Sequence, residues 1–488
     1  MRLLFVYPNQ IHQENVSLGL SYISSYVKQF GHETALIDYT WGGTVQDCIN
    51  KCEEFKPHLV GFSLTSGDLM FSLEIARAIK RLDKSIKIMF GASHATVAPK
   101  DSLQYDEVDM ACVGEAEESV RQLLDHMQNE RDYYDTPNFW FKKENGEIVS
   151  NCVSLLEMNL DKLPFPDRDL WNMETYINTS GGNLDMIAGR GCPYKCTYCI
   201  IPKLHEINEE SRKQVRFRSV DNIIAEVKYL QEKYKGRVKM VSFQDDVFAL
   251  AKPFIAEFSE KFPKECGIPF ICNGRVEAMD EKMAEMLAKA GCSGLNMGIE
   301  TGSQTLRRSL MRRDMSNEHI IRTFKAAKKF KLKTNSYNIV GSPYETERDI
   351  WETIKVNREC EPDYLQVSIF QPYQGTDLHT LSRDQGWMTT DIMPVSHKLT
   401  SIMKYPYMTP REIVWQKKLF RFRVMRKTKP LEAFILLLLD TNYELFVKFR
   451  TKMPTWLKRF LYIVLRKFSG GDAAKTSDTY LPRLESAA

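Results

Sequence analysis

Between residues 189 and 202 the chain reads GRGCPYKCTYCIIP, which gathers the thiols of Cys192, Cys196 and Cys199 in one short loop at spacings of four and three. Gly191, Pro193 and Lys195 make the loop polar and turn-rich, so a buried core role does not account for three thiols there. A structural zinc ion takes four closed ligands, commonly in two close pairs. No second close pair follows the loop, although Cys266, Cys272 or Cys292 could in principle add a fourth ligand. Three thiolates suit a cuboidal iron–sulfur cluster better, because one iron is then left without a protein ligand and can bind a small molecule.

The elements around this loop should place it at the working end of a sheet. From 185 to about 375 the strand-like runs DMIAG, KMVSF, IPFIC, GLNMGI, TNSYNIV and YLQVSIF alternate with helical patterns. Six β-α units in a row suggest an open or partial barrel, whose active site lies at the carboxyl ends of the strands. The cysteine loop follows the first of these runs.

Residues 1 to about 130 form an earlier alternating series with strands RLLFVY (2 to 7), TALI (34 to 37), LVGFS (59 to 63), IKIMF (86 to 90) and MACV (110 to 113). Helical patterns separate them at about 16 to 30, 44 to 55, 68 to 82 and 115 to 128, as a doubly wound domain requires. Its ligand crevice should lie beyond the strands' carboxyl ends, in DYTWGG (38 to 43), SLTSGDL (63 to 69), GASHAT (91 to 96) and GEAEE (114 to 118). Small and hydroxylated residues there admit a large polar ligand, though strand-to-helix turns with N-caps use the same residue types.

The cysteine spacing after the first barrel strand resembles the radical S-adenosylmethionine superfamily. The likeness extends to RFRSVDNIIAEV (216 to 227), FQDDVF (243 to 248), NGRVEAM (273 to 279), MGIETGSQ (297 to 304), NIVGSPYET (338 to 346) and FQPYQGT (370 to 376). In that family the open iron of a 4Fe-4S cluster chelates S-adenosylmethionine, which the reduced cluster cleaves to a deoxyadenosyl radical. The resemblance implies Cys192, Cys196 and Cys199 as metal ligands, Tyr198 near the adenine, and Asp245 with Asp246 toward the methionyl end. It also implies Glu300 as acceptor for the bound amino acid or ribose, unless that carboxylate only caps the next helix, and backbone at Gly341 and Pro343 exposed to adenine. Arg275 is a candidate for pairing with a carboxylate or for a salt bridge.

With its doubly wound N-terminal domain the chain resembles the cobalamin-binding members of that superfamily, over roughly residues 1 to 400. Thr40, Ser63, Thr65, Gly91, His94, Gly114 and Glu115 are the expected cobalamin contacts. Other cobalamin domains supply an imidazole to cobalt from an Asp-x-His-x-x-Gly loop. Here Asp38-Tyr39-Thr40 puts threonine in the histidine's place, so the expected lower face is free of protein histidine.

The expected architecture is therefore α/β. A Rossmann-like cobalamin-binding domain (1 to 130) and a linker (131 to 180, with LPFPDRDLW) lead into a partial (β/α)6 barrel (181 to 400). A basic, mainly helical C-terminal region (401 to 488) follows. The expected activity is cobalamin-dependent methylation of an unactivated carbon or phosphorus. A cyclisation, ring contraction or oxidation without methyl transfer, or a docking domain without cobalamin, are the alternatives.

Composition sets the remaining bounds. At 488 residues, 43% hydrophobic and 27% charged, the chain supports about three globular units, and a net charge of +4 gives no general argument for nucleic acid. Eleven cysteines and an opening MRLLFVYPNQ without a secretory pattern point to reduced thiols and a cytoplasmic location. The partners implied are a low-potential donor, flavodoxin or ferredoxin, and a small-molecule substrate. In the C-terminal region, QKKLFRFRVMRKTK (416 to 429) and LKRFLYIVLRK (457 to 467) flank AFILLLL (433 to 439). These stretches allow an amphiphilic substrate or a peripheral membrane contact, and a helical cap on the barrel is the favoured reading.

Overall fold

The computed structural model describes residues 1–208 and 215–442. Its first sheet contains β1 (Arg2–Tyr7), β2 (Glu33–Asp38), β3 (Leu59–Ser63), β4 (Lys87–Gly91), β5 (Met110–Cys112), β6 (Phe139–Lys142) and β7 (Ile148–Ser150). The spatial order is β2-β1-β3-β4-β5-β6-β7, with β1 to β5 parallel and the last two antiparallel. Leu3, Leu4, Phe5 and Val6 are buried in succession because helices cover both faces of this sheet. The first helix, Leu18–Lys28, starts where the Ser17 side chain accepts from the Leu20 amide.

The second sheet begins with β8 (Asn183–Met186). A short antiparallel ribbon, β9 (Gly189–Arg190) and β10 (Arg216–Phe217), precedes β11 (Met240–Phe243), β12 (Phe270–Gly274), β13 (Cys292–Glu300), β14 (Lys333–Val340) and β15 (Tyr364–Ile369). Its order, β15-β14-β13-β12-β11-β8, is parallel throughout and gives the six strands expected of a partial barrel. The ribbon closes the base of the cysteine loop. At Gly189 a Cβ would sit 2.7 Å from the Arg216 carbonyl oxygen, so only glycine allows this approach.

Residues 131 to 180 do more than link. β6 and β7 extend the first sheet, and the rest wedges between the domains. Trp171 donates to Ser21 Oγ at 2.7 Å, Tyr176 donates to Asp38 at 2.7 Å, and buried Arg168 reaches Glu226 on the barrel side at 3.3 Å. One buried apolar cluster runs from Leu3 and Phe5 through Trp171 and Tyr176 to Leu184 and Phe243. The two domains share a core, which fixes their mutual orientation.

That orientation sets the carboxyl ends of the two sheets against each other. Gly67, in the loop after β3, lies against Pro394 and Val395, and Gly375, after β15, lies against Val97. Beyond the barrel, helix Pro410–Met425 packs Ile413, Phe420 and Val424 against Val340, Ile354 and Ile369. Helix Pro430–Thr441 then docks on it through buried Asp440, held by Lys417 at 3.1 Å and Arg421 at 2.7 Å. The stretch 416 to 429 thus belongs to a helical cap, whereas 457 to 467 lies outside the described residues. Among the described residues no helix is long and apolar enough to cross a membrane.

Candidate active site

The cysteine loop leaves β9 at the mouth of the barrel. Cys192 and Cys196 are buried and Cys199 is half-buried, packed with Tyr194, Leu204, Val247 and Leu250. Among the described residues no three His, Cys, Asp or Glu side chains already form a closed ligand set, so the thiols are gathered without being locked around a point. The chemistry of three soft donors in one apolar-walled loop fits an iron–sulfur cluster.

A chain of charges surrounds the loop. Arg275, just past β12, donates from Nη1 to Cys196 Sγ at 3.0 Å, and its guanidinium covers the Tyr194 ring at 3.8 Å. Its Nη2 reaches Glu277 at 2.5 Å, Glu277 accepts from Arg313 at 2.8 Å, and Arg313 reaches Glu300 at 3.2 Å. Tyr198 closes the chain by donating to Glu300 at 3.2 Å. Burial alone would raise the Glu277 pKa, yet Arg313 and Arg275 hold it at about 2. At Glu300 burial wins over Arg313, and its carboxyl is pushed up. Glu300 has a left-handed φ of 62° at a register shift in β13, which turns its side chain toward Tyr198. Tyr198 and Glu300 therefore meet as one unit, and Arg275 makes the salt bridge, to Glu277, with a contact to the Cys196 sulfur that the sequence does not announce.

Two other expected contacts have internal duties. Asp245 accepts from the Ala188 amide at 3.1 Å and the Gly189 amide at 2.5 Å, fixing the turn into the cysteine loop, and burial raises its pKa to about 7. These two bonds position the loop; Asp246, beside Asp245, is exposed. Gly341 donates to Glu345 at 2.5 Å and accepts from Tyr405 at 2.8 Å, so its backbone groups have protein partners, and Pro343 is buried. Glu345, which the sequence reading passed over, is fully buried and pushed up to about 8 by burial, with Oε1 and the nearby Ser342 Oγ unpartnered.

In the first domain a cavity of about 290 Å³ opens between the sheet and helices Leu18–Lys28 and Glu117–Gln128. Ser63, Gly91, Gly114 and Glu115 line it, together with Gly19 and Gly61, whose bare backbones leave the space a side chain would fill. Ile187 and Arg190 close it from the barrel side. An apolar slot of this size under the carboxyl edge suits the flat, aromatic tail of cobalamin. Glu115 has a second duty, since it pairs with Arg190 and Arg216 across the domains.

Thr40, Thr65 and His94 lie outside the cavity lining. Thr65 and Asp68 form a capping box, with Thr65 Oγ1 2.7 Å from Asp68. His94 is buried between Ser66 at 3.0 Å and Asp101 at 3.3 Å. Thr40 Oγ1 accepts from Asn9 at 2.8 Å, and the Thr40 carbonyl lies 3.0 Å from Nδ1 of His12. Thr65 thus makes the capped turn that its residue type also allows.

A six-stranded half-barrel with a three-cysteine loop, behind a doubly wound domain with a slot under its carboxyl edge, defines a radical S-adenosylmethionine enzyme with a cobalamin-binding domain. Residues 186–356 match the radical SAM superfamily and residues 7–124 the B12 binding domain, and the chain belongs to the enzymes that combine the two. It is 27% identical over 399 residues to an uncharacterized methyltransferase of Pyrococcus horikoshii, covering 81% of this chain and 84% of that one. It is 22% identical over 395 residues to the anaerobic magnesium-protoporphyrin IX monomethyl ester cyclase of Rubrivivax gelatinosus, covering 78% and 69%. In fold it matches the radical S-adenosylmethionine methyltransferase TsrM of Kitasatospora setae, solved with cobalamin and a [4Fe-4S] cluster, at a TM-score of 0.65 and 18% identity, covering 80% and 76%.

Proposed function

We propose that the protein methylates an unactivated carbon or phosphorus of a small molecule, with Cys192, Cys196 and Cys199 holding a 4Fe-4S cluster and the first domain holding cobalamin. The observation that carries this reading is the position of Arg190, two residues before Cys192. It lines the cavity and pairs with Glu115 at 2.8 Å and Glu117 at 2.6 Å of the first domain. One residue thus lines the proposed cobalamin cavity and adjoins the proposed cluster loop, and that proximity is what transfer of a group between two cofactors needs.

When bound, the cluster supplies the electron that cleaves S-adenosylmethionine, and cobalamin carries the methyl group. The chain's own residues orient and enclose. Arg275 steadies the Cys196 sulfur, Asp245 fixes the loop's entry, and Tyr198 with Glu300 presents a hydroxyl and a carboxyl at the strand end. The two domains approach closely at Gly67 and Gly375, and a substrate held between them would be kept from water. Flavodoxin or ferredoxin is the proposed electron donor, and the cytoplasm the proposed location.

Anaerobic reconstitution with iron, sulfide and hydroxocobalamin, followed by assay for deoxyadenosine and S-adenosylhomocysteine, tests the reading. Cluster, corrin and both products are expected. Deoxyadenosine without S-adenosylhomocysteine would remove the methyl transfer, and loss of the corrin on desalting would leave a docking domain.

A further inference from the structure

Helix Pro430–Thr441 is apolar on its outer face as well as its inner one. Ala433, Leu436 and Asp440 are buried where it docks on helix Pro410–Met425. Leu431, Phe434 and Leu438 repeat the same spacing of three and four, and this second row leaves 66%, 52% and 48% of its side chains' surface exposed. A surface helix ordinarily turns polar residues outward, and one that is apolar all round is buried in protein or in lipid. Three large apolar side chains in one exposed row therefore mark a face that something covers. At 12 residues the helix cannot cross a bilayer, which takes about 20.

Charge beside the row says what covers it. The turn into the helix carries Arg426, Lys427 and Lys429, all exposed. Lys429 pairs with Glu432 at 3.6 Å, whereas Arg426 and Lys427 have no ion pair among the described residues. Arg358 extends the patch, donating to the Arg423 carbonyl at 2.6 Å, and the Arg423 guanidinium covers the exposed Trp351 ring at 4.8 Å. Symmetric pairing of this face with a second copy would offer these cations no free carboxylate. Glu412, Glu432 and Asp440 are already held by Thr409, by Lys429, and by Lys417 with Arg421. A bilayer with acidic headgroups supplies both complements at once, negative charge at its surface and apolar chains just beneath. We propose that the outer face of helix Pro430–Thr441, with the basic turn before it, docks the protein on an anionic membrane surface. The docking goes beyond the methyl-transfer reading and needs neither cofactor.

The test is flotation of the full-length protein with vesicles of phosphatidylcholine alone or of phosphatidylcholine and phosphatidylglycerol in equal parts. Flotation with the anionic vesicles, weakening as salt is raised, is expected. Two double variants, Phe434→Glu with Leu438→Glu and Arg426→Glu with Lys427→Glu, should each cut the floated fraction about tenfold while far-ultraviolet circular dichroism stays that of the parent. Because the two alter different parts of the surface, one remains readable if the other misfolds. No flotation of the parent would overturn the proposal, as would equal flotation with neutral and anionic vesicles, or undiminished flotation of either folded variant. Self-association of the parent without vesicles, abolished by Phe434→Glu with Leu438→Glu, would assign the face to a second copy and overturn it too.

Discussion

Arg275 Nη1 lies 3.0 Å from Cys196 Sγ and places a cation and an N–H donor on a sulfur of the cysteine loop. Both stabilise added negative charge at that sulfur, so the contact should raise the potential of a cluster bound there. Arg275→Met removes charge and donor together and should lower the midpoint potential on the order of 50 mV. Arg275→Gln keeps a donor and should fall between. An anaerobic redox titration followed by electron paramagnetic resonance reads the shift, and equal potentials in all three proteins would show that the contact does not persist on the ligated loop.

Much of this site is legible because its signals are local. The three cysteines, the strand runs at 2 to 7, 59 to 63 and 334 to 340, and the cap at Ser17 each depend on a few neighbouring residues. What the sequence hides are partners far along the chain. Glu115 looks like a cavity residue, and it is one, but its arginine partners lie 75 and 101 residues away. Thr65 and His94 have internal partners that the sequence does not reveal, because capping boxes and ligand loops draw on the same small hydroxylated and polar residues. The hairpin at 139 to 150 reads as irregular because β7 is a three-residue edge strand with little buried surface to impose alternation.

Glu345 should make stability depend on pH. Its carboxyl is raised from 4.5 to about 8 by burial, so the folded chain holds a proton that the unfolded chain releases above 4.5. Between those values the unfolded state binds fewer protons, and stability falls as pH rises, by a few kcal/mol across the window. Below 4.5 both states are protonated and the contribution is flat. Glu345→Gln should therefore gain in melting temperature relative to the parent as pH goes from 5 to 8. A constant difference across that range would mean the carboxyl is not held neutral.

Gly189 is predicted to be intolerant of a methyl group. A Cβ there would lie 2.7 Å from the Arg216 carbonyl oxygen and 2.8 Å from the Phe217 ring, and Arg216 is anchored to Glu115 and the Glu157 carbonyl. Gly189→Ala should force the ribbon apart at a cost of about 1–3 kcal/mol and disturb the base of the cysteine loop. Iron and sulfide retained per chain after anaerobic reconstitution should drop while the far-ultraviolet circular dichroism stays unchanged. Full cluster loading would show that the loop does not depend on the ribbon.

The cavity can be closed without touching the cysteines. Gly91 lines it from the end of β4 with an extended φ of −139°, and its Cβ would make only ordinary contact, 3.5 Å from the Phe62 carbonyl oxygen. Gly91→Leu thus needs no unusual backbone and directs about four carbons of bulk toward a space of about 290 Å³. Corrin retention after desalting should fall at least tenfold, with S-adenosylhomocysteine formation falling in step, whereas the cluster and its cleavage of S-adenosylmethionine should survive. That split separates the two domains' contributions in one protein. Unchanged corrin retention would place the cofactor's tail elsewhere on the carboxyl edge of the sheet.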